Sequence, residues 1–140
     1  MTALAKAKEV VSRKGDILLA KMAADTIIYK GGHVMLEGGY ATPSAATNAL
    51  IGLGMALETI DNSGGDAAAK EIRVDFTEIV KLDGFTGLAI TDVGTDVYAS
   101  DDQTFTTTAS NNIPVGKIVE LVSATVAWVK PVLGGVAATV

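Results

Sequence analysis

The sequence predicts a mainly β fold: a small single-domain β-barrel or β-sandwich of short strands. Three observations predict it. Apolar runs of about four to eight residues recur along the chain, each bounded by Gly, Pro, Asn or Asp, which is the pattern of strands joined by turns. Ile72, Val74 and Phe76 alternate with Arg73, Asp75 and Thr77, the period of a strand with one wet face. Hydrophobic residues make up 49% of the 140-residue chain and aromatic ones only 5%, so a core must be built from Val, Ile, Leu and Ala.

Residues 1–15 read as a short helix or a flexible arm, with Leu4, Ala7 and Val11 at helical spacing and Gly15 as the stop. The β domain is expected over 16–131. Ile17-Leu18-Leu19, Thr26 to Tyr29 and His33 to Leu36 are strands, broken by Gly31-Gly32 and Gly38-Gly39. Tyr40 to Asn48, with Pro43, reads as a surface loop. Ala49 to Ile60 reads as one strand whose Gly52 and Gly54 mark a bulge or a close backbone approach. Asp61-Asn62-Ser63-Gly64-Gly65-Asp66 is the strongest turn signal.

After Thr77 the alternation slips, so Ile79, Val80 and Leu82 follow a bulge or start a new segment. Thr91-Asp92-Val93-Gly94 is a capped helical turn or a tight turn. Val97-Tyr98 and Thr104 to Thr108 are strands flanking Asp101-Asp102, which then sit at a solvated hairpin tip. Pro114 to Val122 and Val126 to Val129 form a last pair joined at Ser123-Ala124-Thr125, with Trp128 expected to anchor the core. Pro131 ends that strand because it cannot donate to a ladder. Residues 132–140 are a tail of small residues, either disordered or a strand given to a neighbour.

The formal charge is −5. An acidic surface repels phosphate, which argues against nucleic acid as a partner. Lys6, Lys8, Arg13 and Lys14 are the exception, either a solvated end or a basic arm for an acidic partner. With no Cys, disulfides and Cys-ligated metal sites are excluded. The most apolar window, Ala49 to Leu57, is far below the roughly 20 residues of a membrane span, so no membrane partner is expected. A mean hydropathy of +0.37 is high for a soluble monomer and suggests apolar surface hidden in an oligomer or against a larger partner.

Signs of chemistry are weak. His33 is the single imidazole, and beside Gly31-Gly32 it reads as structural. Asp61 to Asp66 fails the calcium-loop pattern: counted from Asp61, the fifth position is Gly65, the sixth Asp66 and the twelfth Ile72. Gly52-Leu53-Gly54 lacks the third Gly of a dinucleotide fingerprint. Asp92, Asp96, Asp101 and Asp102 offer carboxylate pairs, but any acidic chain does. No catalytic, cofactor-binding or metal-binding residue is assigned, no cofactor is expected, and an enzyme is the less favoured class.

The series Ile28-Tyr29-Lys30-Gly31-Gly32-His33-Val34, Glu58 to Gly65 with its "DNSGG", Thr91 to Gly94 "TDVG", Asp101 to Thr104 "DDQT" and Pro114-Val115-Gly116 "PVG" occurs in one order. This order resembles the capsid cement, or head decoration, proteins of tailed bacteriophages, over about Asp16 to Lys130. The resemblance implies a virion structural protein on the capsid exterior, made in the host cytoplasm. It would bind the major capsid protein without catalysis, commonly as a trimer or another small cluster. The ends, Met1 to Lys14 and Leu133 to Val140, depart from the pattern. Lys6, Lys8, Arg13 and Lys14 are candidate capsid contacts. The alternatives are another capsid or tail building block, or a small carbohydrate-binding or hydrolase β domain using Asp101 and Asp102.

Overall fold

The structure, a computed structural model, describes residues 3, 5–8, 15–47 and 51–132. In chain order the strands are β1 Ile17–Lys21, β2 Thr26–Ile28, β3 His33–Glu37, β4 Tyr40–Pro43, β5 Ile51–Ala56, β6 Ile60–Asn62, β7 Glu71–Asp75, β8 Val80–Leu82, β9 Asp96–Ala99, β10 Phe105–Thr106, β11 Ile113–Leu121 and β12 Ala127–Pro131. One 3₁₀ turn spans Ile90–Asp92. The fold is mainly β, as the turn-bounded runs predict. Residues 3 and 5–8 form no helix, and the rest of that expected helix lies outside the described residues.

Two antiparallel five-stranded sheets carry the fold. The first runs β1-β7-β5-β3-β4 and the second β10-β9-β11-β12-β8, while β2 and β6 form a separate ribbon. Both five-stranded sheets curl toward closure. A bridge joins Met22 to Ala41 across the edges of the first, and the Phe105 N–H donates to the Gly84 carbonyl across the edges of the second.

Each sheet encloses its own apolar core. Met22, Ile28, Val34, Leu53, Ile72 and Val74 fill the first. Val97, Phe105, Ile113, Val115, Ile118 and Val129 fill the second, joined by Met35 and Met55 from the first sheet. Strands β3 and β5 therefore lie between two cores and are apolar on both faces. A bulge at Leu53 makes this possible. The register steps from Val34↔Gly54 to Met35↔Gly52, so Leu53 points into the first core and Met55 into the second.

Several expectations need correction. Tyr40–Pro43 is a strand, not a loop: Gly38 and Gly39, both with positive φ, turn the chain tightly and pair β4 with β3. Pro43 is tolerated because it sits at the end of an edge strand. The expected single strand to Ile60 is two, β5 and β6, separated at residues 57–59. The strand expected over Thr104 to Thr108 shrinks to Phe105–Thr106. Trp128 is only half-buried, because β12 turns Ala127 and Val129 inward and leaves residue 128 on the other face.

Candidate functional site

The junction of the two sheets gathers the polar residues that look most like a site. The sheets meet where β5 lies on β11. A β-carbon at Gly52 would collide with the Pro114 carbonyl oxygen, so only glycine permits this approach. The close backbone approach read from Gly52 is thus realised.

His33 stands beside this contact, 1% exposed. Its ring lies edge-on to Phe105 with centroids 6.4 Å apart, and its Nδ1 is 2.7 Å from the Ser44 hydroxyl. Ser44 is also buried. Backbone bonds tie the same place together. The His33 N–H donates to the Asp102 carbonyl (2.9 Å), the Ser44 N–H to the His33 carbonyl (3.0 Å), and the Ala46 N–H to the Ser100 carbonyl (3.0 Å). A bridge pairs Ala45 with Asp101. The β9–β10 hairpin tip of the second sheet is thereby laced to β3 and the strand end that follows β4.

A hydroxyl 2.7 Å from an imidazole has the spacing of a nucleophile and its base. Burial, however, holds the His33 pKa down to about 3. Such an imidazole is a poor proton acceptor near neutral pH. The pair satisfies two buried polar groups and pins the junction, the structural role expected for His33.

The hairpin tip divides its two acids. Asp101 is exposed, and its carboxylate accepts the Gln103 and Thr104 N–H groups (2.9 and 2.7 Å) and the Thr104 hydroxyl (3.1 Å). Asp102 is half-buried, which departs from a fully solvated tip. Desolvation, then the Asp101 charge, raises its pKa. Asp102 lines an open cleft of about 400 Å³ with Tyr29, Lys30, Gly31, Gly32 and Gln103.

Asp92, Asp96, Asp61 and Asp25 are spent on holding the fold. Asp92 accepts the Ala89 N–H (2.9 Å) at the start of the 3₁₀ turn, which spans Ile90–Asp92 and not Thr91 to Gly94, with Ala89 at its N-cap. Asp96 pairs with Lys117 at 2.6 Å across β9 and β11. In the Asp61–Asp66 turn, Asp61 accepts the Ser63 N–H (2.8 Å) and Asp25 accepts the Gly64 N–H (2.8 Å). Hydrogen bonds from Ser63 hold the Asp61 pKa below its usual range. Buried Asn62 donates to the carbonyls of Ala23 (2.9 Å) and Asp66 (3.1 Å), fastening the turn to the β1–β2 link.

Among the described residues, no group of three or more His, Cys, Asp or Glu comes together, and no helix is long and apolar enough to cross a membrane. Lys6 and Lys8 are exposed, while Arg13 and Lys14 lie outside the described residues. Ser44 went unread in the sequence because its segment looked like a polar loop. Its spacing from His33 becomes meaningful only once β3 and β4 form a hairpin. Comparison of the chain with family models, with curated proteins and with solved structures found no match.

Proposed function

We propose that this chain is a capsid decoration protein of a tailed bacteriophage. It would bind the outer face of the major capsid protein lattice and brace the shell by binding alone, without cofactor, nucleic acid or membrane. The observation that carries this reading is a surplus of exposed aliphatic side chains. Ile17, Leu19, Ile79, Ile90, Val119 and Val122 all stand out from a β body whose two cores are already filled. A docked capsid surface would cover such side chains. The order of the "DNSGG", "TDVG", "DDQT" and "PVG" stretches supports the same reading.

The mechanism is mass action. A ligand that binds only the assembled shell stabilises it in proportion to the logarithm of its concentration over Kd. A homo-oligomer, with a trimer favoured, multiplies weak contacts through effective concentration. The basic residues Lys6, Lys8, Arg13 and Lys14 add an electrostatic arm toward an acidic capsid surface. The protein is made in the host cytoplasm and ends on the virion exterior.

The test is to add purified protein to undecorated shells of the cognate phage and measure co-sedimentation and heat tolerance. Binding with raised tolerance is expected, and a failure to bind overturns the reading. Deleting residues 1–14 should weaken attachment and lower its salt sensitivity.

A further inference from the structure

The first sheet has one edge that the described residues leave open. Strand β1 pairs with β7 in the register Leu18↔Val74 and Ala20↔Ile72. The Met22 N–H donates to the Lys70 carbonyl and the Phe76 N–H to the Asp16 carbonyl, both in that register. Even-numbered residues of β1 therefore bond to β7. Ile17 and Leu19 turn their N–H and C=O groups the other way. On that side β4 meets the C-terminal end of β1, where Ala41 bridges Met22 and accepts the Ala23 N–H. No described strand pairs with the edge at Ile17 to Leu19. The side chains there are also uncovered: Ile17 is 48% exposed and Leu19 59%. An open edge with apolar side chains is a template for another strand.

We propose that this edge takes the segment Leu133–Val140 of a second copy of the chain as an added β-strand. The segment LGGVAATV carries no charged side chain. Gly134-Gly135 allows a sharp change of direction, and Val136, Ala138 and Val140 fall on one face at strand spacing. The five residues from Val136 match the five of β1.

Reach assigns the strand to a neighbour. The last described contact is the Val132 N–H on the Val115 carbonyl (2.9 Å), beside β11. From there to β1 the path crosses the β11–β5 packing and then β7. Val132 continues β12, one strand spacing of about 4.8 Å from β11, and beyond the close β11–β5 contact lie two more such spacings, β5 to β7 and β7 to β1. Residues 133–135 span only about 10 Å when extended.

Rival occupants fit less well. The chain's own Glu9–Lys14 would bring Glu9, Arg13 and Lys14 to an apolar edge. A second β1, antiparallel about Leu19, would set Lys21 against Ile17 twice. Tail-to-edge pairing is head-to-tail, so it closes a small ring where the rotation allows. The proposal does not depend on what the oligomer binds.

The experiment compares the full chain with one ending at Val132, which keeps every described contact. Sedimentation should give an oligomer for the full chain and a monomer for the truncated one, which still unfolds cooperatively, with a melting temperature that no longer depends on protein concentration. A synthetic peptide of residues 133–140, added to the truncated chain, should slow hydrogen exchange at the Ile17 and Leu19 amides. Leu19→Lys, at an exposed side chain, should weaken that peptide about tenfold or more. A monomeric full chain, an oligomer that survives truncation, or a peptide without effect on those two amides would overturn the proposal. So would a peptide that binds only after residues 1–14 are removed. All readouts are taken without shells, so a failure here and a failure to decorate shells are distinguishable.

Discussion

The junction at His33 and the turn at Asp61–Asp66 use the same kinds of residue to different ends. Each combines Asp, a buried polar side chain and closely approached glycines. At the turn, Asn62 ties one loop to a neighbouring link within the first half of the molecule. At the junction, His33, Ser44 and Gly52 hold two sheets and two cores together. The difference teaches that motif strength and structural weight are separate. The turn has the stronger local signature, but the junction carries more of the tertiary structure.

The most damaging way to break this contrast is Gly52→Val. Its side chain has nowhere to go but the Pro114 backbone, so the sheets must separate. A loss of about 3 kcal/mol or more is expected, read from urea unfolding. Next comes His33→Ala, which leaves a cavity and strips Ser44 of its partner, costing about 2–4 kcal/mol. Asn62→Ala should cost about 1–3 kcal/mol by orphaning two carbonyls. If Asn62→Ala costs more than His33→Ala, the ranking of the two regions is reversed.

A pH titration sharpens the comparison. His33 is neutral in the fold down to about pH 3, whereas the unfolded chain takes up its proton near pH 6.5. Between those values the unfolded state binds more protons, so stability falls as pH falls, by at most about 1.4 kcal/mol per pH unit. The contribution is fully present above pH 6.5. His33→Gln should flatten that slope in unfolding curves taken from pH 7 to pH 4, and a slope left unchanged would remove His33 as its source. The smallest effect is expected for Asp102→Asn. The raised Asp102 pKa means that its ionisation disfavours the fold, a penalty that sets in as pH rises through the folded value. Melting near neutral pH should rise slightly, and a clear fall would point to a favourable contact of the carboxylate.

Much of the fold was legible because local chemistry dictates it. Glycine pairs and the DNSGG stretch set turns through their tolerance of positive φ, and the alternation around Ile72 and Val74 set a half-buried strand. The GxG in β5 correctly announced a close approach. Trp128 misled, because size argues for burial while strand parity decides the face. The β4 strand was hidden by Pro43, whose edge position excuses its missing donor.

Unaided, the sequence determined the β class and most turns. Both depend on residues a few positions apart in the chain. The tertiary structure alone decided that His33 faces Ser44 and Phe105, that Gly52 meets Pro114, and that no described strand pairs with the β1 edge at Ile17 and Leu19. Those outcomes depend on which strands become neighbours. Residues such as His33 and Phe105, 72 positions apart, carry no local trace of their contact.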